Sequence, residues 1–434
     1  MVNLKRRKVL NLAILGSAFS FIPKTNLLGN DQRKVSQVVW GGLGFSVPNS
    51  KIPTLFPNTS LALGQLGESN ESSEDFKIGF SRLSKAFVGA LKSEYTGGVL
   101  DPDLIDSKSD PGLLFVTALD FEQKIDIPTK GNEFIEIGYL FGASQVFYVE
   151  LPTRGGSDGE LRILYSFPHR VGRSDGIDRS STKNYKGKVF RELLLPSESN
   201  PNEMTLVDFF QKKLLSKNFD YSRPIGRARV VKASISQKAG QRIAEYKVGS
   251  YLNEKFLGQC LSASLAEHAN ISLLPYGQND LLNRGLAQRF TKRLEVEKIF
   301  DGLSDPANNN FNIELNLLSI FRKANGSNVG SNLYARGVQY NIKIFDTFGG
   351  NKAVLDKDIY LVNNAELPKS MLENMIDYDI KEFVQLTIAL FDSFAKLIVS
   401  GNVNELEKIG IKNKKDIDLF NQLNKMLEKC RIIS

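Results

Sequence analysis

Phe311-Asn-Ile-Glu-Leu-Asn-Leu317 alternates without a break. Phe311, Ile313, Leu315 and Leu317 fall on one side of an extended chain, and Asn312, Glu314 and Asn316 on the other. Successive strand residues point to opposite faces, so this stretch describes a strand with one dry and one wet side. The same period returns at Tyr334, Arg336, Val338, Tyr340, Ile342 and Ile344, and the turn signal Thr347-Phe-Gly-Gly-Asn351 leads into a third strand at 353–362. Three such strands with clean alternation predict an antiparallel sheet that meets water on one face.

Working outward, residues 227–237 read as a strand, 243–268 as one long helix and 271–274 as a strand, with a further helix beginning near Asp280. Downstream, Ile380, Phe383, Val384, Phe391, Phe394, Leu397 and Ile398 form the stripe of a long helix that Gly401 ends, and 416–430 reads as a terminal helix. In the first half, Val35–Trp40 reads as a strand that Gly41, Gly42 and Gly44 interrupt. Phe76, Phe80, Leu83, Phe87 and Leu91 recur at helical spacing, with Gly97-Gly98 beyond them. A strand follows at 113–121, a short helix at 134–141, and strands at 145–151 and 161–167 joined across Thr153-Arg-Gly-Gly-Ser-Asp-Gly159. Residues 168–222 are polar and read as a connecting region, with one helix over 204–219. The expected class is α+β: a first domain over 24–167, a second over 223–400 and a C-terminal helical segment over 401–434. Both domains show the order strand, long helix, strand, then paired strands around a Gly-rich turn, which suggests one unit used twice.

The N-terminus carries a different message. Lys5-Arg-Arg-Lys8 precedes an apolar run over 9–22 that is too short to cross a bilayer and ends at Pro23. This is the layout of an export signal over residues 1–23, with small residues at Ala18 and Ser20 for cleavage. Arg6-Arg7 before Val9-Leu10 resembles the twin-arginine signal of bacteria, although Lys5 and Asn11 depart from its usual residues. An uncleaved anchor is the alternative. The formal charge of +8 suggests a polyanionic partner, but cleavage near Ser20 removes four cations and no acid and leaves +4. Nucleic acid is therefore not an expected partner.

Composition excludes other classes. With 41% hydrophobic and 24% charged residues the chain is not a disordered one. Two Cys and two His in 434 residues leave no disulfide framework, four-thiolate zinc site or His-rich metal centre. No cofactor and no metal are expected.

Phe134-Ile-Glu-Ile-Gly-Tyr-Leu-Phe-Gly-Ala-Ser-Gln-Val-Phe-Tyr-Val149, followed after a turn by Gly159-Glu-Leu-Arg-Ile-Leu-Tyr165, resembles a group of bacterial envelope domains: the N-terminal domain of TolB, the curli-secretion protein CsgG and domains of the flagellar protein FlgT. The resemblance rests on residues 134–165 in the first half and on element order in the second. It implies a small α+β domain used for assembly and protein contacts, with no catalytic residue to carry over.

Candidate chemistry is sparse. Gly155-Gly-Ser-Asp-Gly159 matches a nucleophile elbow, but the residues after it read as a strand rather than a helix, so it reads as a hairpin turn. His169, Arg170, Arg173 and Asp175 gather in what reads as one loop, where arginines could grip phosphate or carboxylate. His268 closes an apolar helix stripe and reads as a cap. Asp101/Asp103, Asp356/Asp358 and Asp377/Asp379 lack the glycine and distal Glu of a calcium loop. Cys260 reads as core, or in an oxidising compartment as the partner of Cys430 in a disulfide. The expectation is an exported, non-enzymatic envelope protein that meets other envelope proteins or its own copies and touches a membrane only through its N-terminus. The rivals are a ligand binder or enzyme using 168–179, and a secreted effector or surface protein.

Overall fold

A computed structural model describes residues 37–67, 73–95, 112–129, 133–150, 160–178, 186–195, 204–217, 219, 226–276, 310–401, 408–411 and 414–431. The export segment, the 155–159 turn, Asp101/Asp103 and the helix expected near Asp280 lie outside them. The class is α+β, with two mixed sheets packed with helices and a long C-terminal helix.

The first sheet has the order β1-β2-β3-β4, from β1 (Gln37–Phe45), β2 (Gly112–Pro128), β3 (Glu133–Glu150) and β4 (Glu160–Asp178). β1 and β2 are parallel, and a crossover containing α1 (Pro57–Leu66) and α2 (Ser73–Glu94) joins them. The β2–β3 and β3–β4 pairs are antiparallel. β1 passes through the glycines expected to end it, because Gly42, at φ 121°, takes up a bulge between Trp40 and Gly42. α1 starts where the Glu122 carboxylate of β2 accepts the N–H groups of Asn58 and Thr59, both at 2.8 Å, so an anion sits on the helix N-terminus. α2 buries the expected stripe: Leu83, Phe87 and Leu91 are inaccessible, and Phe87 stacks on Trp40 at 5.0 Å.

The chain continues through α3 (Lys188–Leu194) and α4 (Leu206–Phe209), which runs into a π-turn at Phe210–Leu215. Thr205 and Asp208 cap α4 reciprocally. The second sheet has the order β6-β5-β7-β8-β9. It is built from β5 (Ala228–Ile235), β6 (Leu273–Leu274), β7 (Phe311–Ser327), β8 (Ser331–Asp346) and β9 (Lys352–Pro368). Between β5 and β6 lie α5 (Gln237–Glu245) and α6 (Glu254–Ala269); α7 (Met375–Ser400) and α8 (Lys414–Leu427) follow β9.

The sheets share more than order. β5 and β7 are parallel, and β7–β8–β9 is an antiparallel meander, as β2–β3–β4 is. Val38 pairs with Leu113 and Ala228 with Phe311. From those pairs, bulges fall at the same steps: Trp40/Gly42 and Leu119/Phe121 in the first sheet, Val230/Lys232 and Leu317/Ser319 in the second.

Three further expectations are corrected. Residues 134–141 are strand, not helix, because both faces of the first sheet are covered and an alternating pattern is not required there. Residues 168–178 belong to β4 and not to a polar connection. The helix expected over 243–268 is two helices: Lys247 turns left-handed at φ 57°, and Asn253 starts α6 by accepting the Phe256 N–H at 2.9 Å. The helix expected over 204–219 is α4 and its π-turn. α7 ends as expected, with Gly401 at φ 56° and its N–H on the Leu397 carbonyl at 2.9 Å.

The layers are α1–α4, the first sheet, the α6–α7 pair, and the second sheet. At one end of the second sheet, Arg322 and Arg336 stand directly opposite each other on β7 and β8. Like charges so placed repel. Asp379 of α7, fully buried, accepts from Arg336 Nε at 2.8 Å and from Arg322, and thereby seats the start of α7. Asp379→Ala leaves two guanidinium groups facing each other in a dry site, one of them buried; it is expected to lower unfolding free energy by about 3–5 kcal/mol, measured by urea denaturation.

Candidate functional site

β4 splits the four residues expected in one loop. Alternation sends His169, Arg173 and Asp175 to the α3–α4 side and Arg170 to the α6–α7 side. Arg173 pairs with Glu192 of α3, and Asp175 accepts from Lys188, the first residue of α3, at 2.5 Å. His169 packs against Phe209 of α4, with ring centroids 5.4 Å apart. The charge pattern that resembled a loop is that of a strand whose polar residues meet partners on two helical layers.

Arg170 does nucleate a cluster. Its Nη2 donates to both Asp392 oxygens, at 3.2 and 3.1 Å, and its Nη1 donates to Cys260 Sγ at 3.2 Å and to Ser264 Oγ at 3.5 Å. Ser264 Oγ donates to Asp392 Oδ1 at 2.6 Å, and His268 Nε2 lies 3.4 Å from the same oxygen. Cys260, Ser264 and His268 come from successive turns of α6, and Asp392 comes from α7. Burial opposes ionisation of Asp392, but the hydrogen bond with His268, the charge of Arg170 and the Ser264 hydroxyl outweigh it and hold the carboxyl well below the usual carboxylate range. Burial pushes the Cys260 thiol up to about 11, although Arg170 stands beside it. Cys260 and Cys430 are free buried thiols, so the disulfide considered from sequence is not formed.

A second brace lies nearby. Asp120, the bulged residue of β2, is buried and accepts from Gln259 Nε2 of α6. Lys255 Nζ reaches the Asp120 carbonyl at 2.9 Å and its carboxylate at 3.4 Å.

These are the types of a Ser-His-Asp triad in the wrong order. In a triad the imidazole stands between hydroxyl and carboxylate and takes the hydroxyl proton. Here the carboxylate stands between Ser264 and His268 and takes both contacts, and Ser264 is fully buried. The arrangement fixes charge across a seam between two layers; it does not activate a nucleophile. Elsewhere Asn341 Nδ2 donates to Asp356 and Asp358 at 2.9 and 2.8 Å, and Asp379 is taken up by the two arginines, so these carboxylate pairs serve the sheet. Among the described residues no group of three or more His, Cys, Asp or Glu is placed to hold a metal ion.

The sequence reading missed Ser264 and Asp392. Asp392 had a signal, since it follows Phe391 within the apolar stripe of α7, and an acid there needs a buried partner. Ser264 had none.

No protein-family model matches the chain, and no curated protein matches it. Among solved structures it is similar to the hypothetical protein CT253 from Chlamydia trachomatis (TM-score 0.21, 10% identity, 39% of this chain and 92% of that one). It is similar also to lipoprotein GNA1162 from Neisseria meningitidis (0.18, 8%, 37% and 99%) and to protein XCC0632 from Xanthomonas campestris, of family DUF330 (0.18, 6%, 39% and 84%). Likeness at these values establishes neither a shared fold nor a shared function.

Truncating one member of a buried charge pair strands the other. Arg170→Met is expected to cost roughly 3 kcal/mol, and Arg170→Met with Asp392→Leu clearly less than the two single changes together. Urea titration of the four proteins checks this; additive losses would remove the brace.

Proposed function

We propose that the chain is an exported, non-enzymatic component of a bacterial cell envelope that acts through contacts with other envelope proteins or with its own copies. The N-terminal arrangement of Lys5–Lys8 and the apolar run after it supports export. The observation that carries the contact role is where apolar side chains remain exposed. Phe321, Tyr360 and Val362 lie on the outer face of the second sheet, while Phe348 and Val329 stand at its two turns, 71% and 99% exposed. Phe321, Gly337 and Val362 share one cross-strand row, and the Phe321 ring lies over Gly337. Other exposed apolar residues, such as Leu55, Ile78, Met204 and Val399, are scattered on or beside the helices, and adjoining apolar groups such as Phe321 and Val362 mark contact surfaces more often than scattered ones do. The chemistry-bearing residues described above are by contrast engaged with each other inside.

Cell fractionation tests the location: the protein is expected in the periplasmic or envelope fraction, and a purely cytosolic protein removes the reading. Size-exclusion chromatography of envelope extracts tests the contact. The wild-type chain is expected to elute as a complex, and Phe321→Ser with Val362→Ser to shift it to monomer without loss of thermal stability. A strict wild-type monomer in those extracts counts against the proposal.

A further inference from the structure

His169 is buried, 2% exposed, in an otherwise apolar seat. Its Nδ1 lies 3.4 Å from the Phe167 carbonyl oxygen. A carbonyl only accepts, so Nδ1 carries the hydrogen and Nε2 the free lone pair. Nε2 is buried with no hydrogen-bond partner among the described residues. Gly142 is the residue opposite on β3, and a Cβ there would stand 2.9 Å from Nε2; the glycine makes room for the ring. Phe209, the last residue of α4, covers it. The π-turn follows directly, and its Phe210 packs edge-on against Trp40, Phe87 and Phe115.

The other charged groups on the surrounding elements are committed elsewhere, and Arg191 of α3, which can only donate, has no acceptor to offer. On α4, Asp208 holds Thr205, with Lys212 at 4.0 Å. On α3, Glu192 pairs with Arg173 and Lys188 with Asp175 of β4. On β2, Glu122 is bound by Asn58 and Thr59 of α1, while β3 carries the Glu136 that pairs with Lys124. Arg170 points to the other face of the sheet, and Lys213 of the π-turn lies 3.7 Å from Glu267 of α6. None offers an acceptor to Nε2.

We propose that His169 is an acid-operated release for the cap made by α4 and its π-turn. The neutral ring completes the apolar seat of Phe209; a second ring proton adds a charge and an N–H that no described residue of the seat accepts, and both are relieved when α4 lifts and water reaches Nε2. Burial lowers the imidazole to about 4, with the Phe167 carbonyl acting weakly the other way. A water-exposed imidazole titrates near 6.5. The seated form therefore binds fewer protons between those values, and closure weakens as pH falls through the window, by up to roughly 300-fold.

Trp40 is the only tryptophan in the chain and touches Phe210, so its emission reports whether the π-turn is seated. Urea titrations of the full chain are followed by Trp40 emission and by far-UV circular dichroism at pH 7.5 and 4.5. In the wild type the two midpoints are expected to coincide at pH 7.5 and to separate at 4.5, with Trp40 responding first. His169→Phe, which fills the seat, and His169→Gln, which keeps a neutral polar group, are each expected to abolish the separation. Separation that persists in both variants, or wild-type midpoints that move together at both pH values, overturns the proposal.

Discussion

The middle of α6 has no side that water can wet. Phe256 to Ala266 are all buried, and the helix packs against β4 of the first sheet, β5 of the second and α7. A helix apolar all round has to be enclosed. The two sheets are therefore obliged to close on the same helical layer from opposite sides. α7 shares the constraint: by length and composition it is apolar enough to cross a membrane, yet Phe383, Val384, Leu390, Phe391 and Phe394 are inaccessible because α6, β2, β8 and β9 surround them. Where the layers meet, β4 and β6 come close enough for the Ser166 N–H to donate to Ser272 Oγ at 3.1 Å.

Enclosure by apolar surface alone leaves relative position poorly defined, because hydrophobic attraction has no direction. The polar braces supply it. Arg170 reaches one point on α7 through two oxygens and one face of α6 through Cys260 and Ser264, and Asp120 does the same to Lys255 and Gln259. A buried ion pair is weak evidence for stability, since desolvation offsets most of its attraction. A one-turn slip of α6 would strand Arg170, Asp120 and Asp392 together. The braces therefore penalise wrong settings of the layers more than they favour the right one.

The legibility of the sequence follows the wetness of each surface. β7–β9 could be read because one face meets water, and polar and apolar residues alternate there. α2 and α7 could be read because each shows a stripe or a glycine stop. The helix expected over 134–141 was misread because the first sheet is dry on both faces: Ile137, Leu140 and Phe141 are all buried, and a run without alternation has no period to report. Residues 168–178 were misread for the opposite reason. Their charges looked solvated because their partners, at Lys188, Glu192 and Asp392, lie 13, 19 and 222 residues away. The break at 246–253 did carry signals, Gly249-Ser250 and the Asn253 cap, which the apolar stripe on either side outweighed.

The shared register explains why the stack of layers ends where it does. With Val38–Leu113 aligned on Ala228–Phe311, the face that the first sheet turns to α6 and α7 corresponds to the outer face of the second. On the first sheet this face carries Leu114, Val116, Ala118 and Ala143, all buried. At the corresponding places the second sheet carries Asn312, Glu314, Asn316 and Asn341, none of them buried. Four apolar residues at matching register are four polar ones, and one of these, Asn341, joins Asp356, Asp358 and Lys343 in a polar ladder. A further helical layer would have to strip water from that ladder and would leave its carboxylates without new partners. Beyond Ser319, around Phe321, Tyr360 and Val362, the outer face becomes apolar and exposed, whereas Phe345, opposite Asn312 at the other end, is half-buried. The exposed apolar residues on the strands of this face thus gather at one end of the sheet, where desolvation is cheap, and Phe348 stands apart at the turn of the other end.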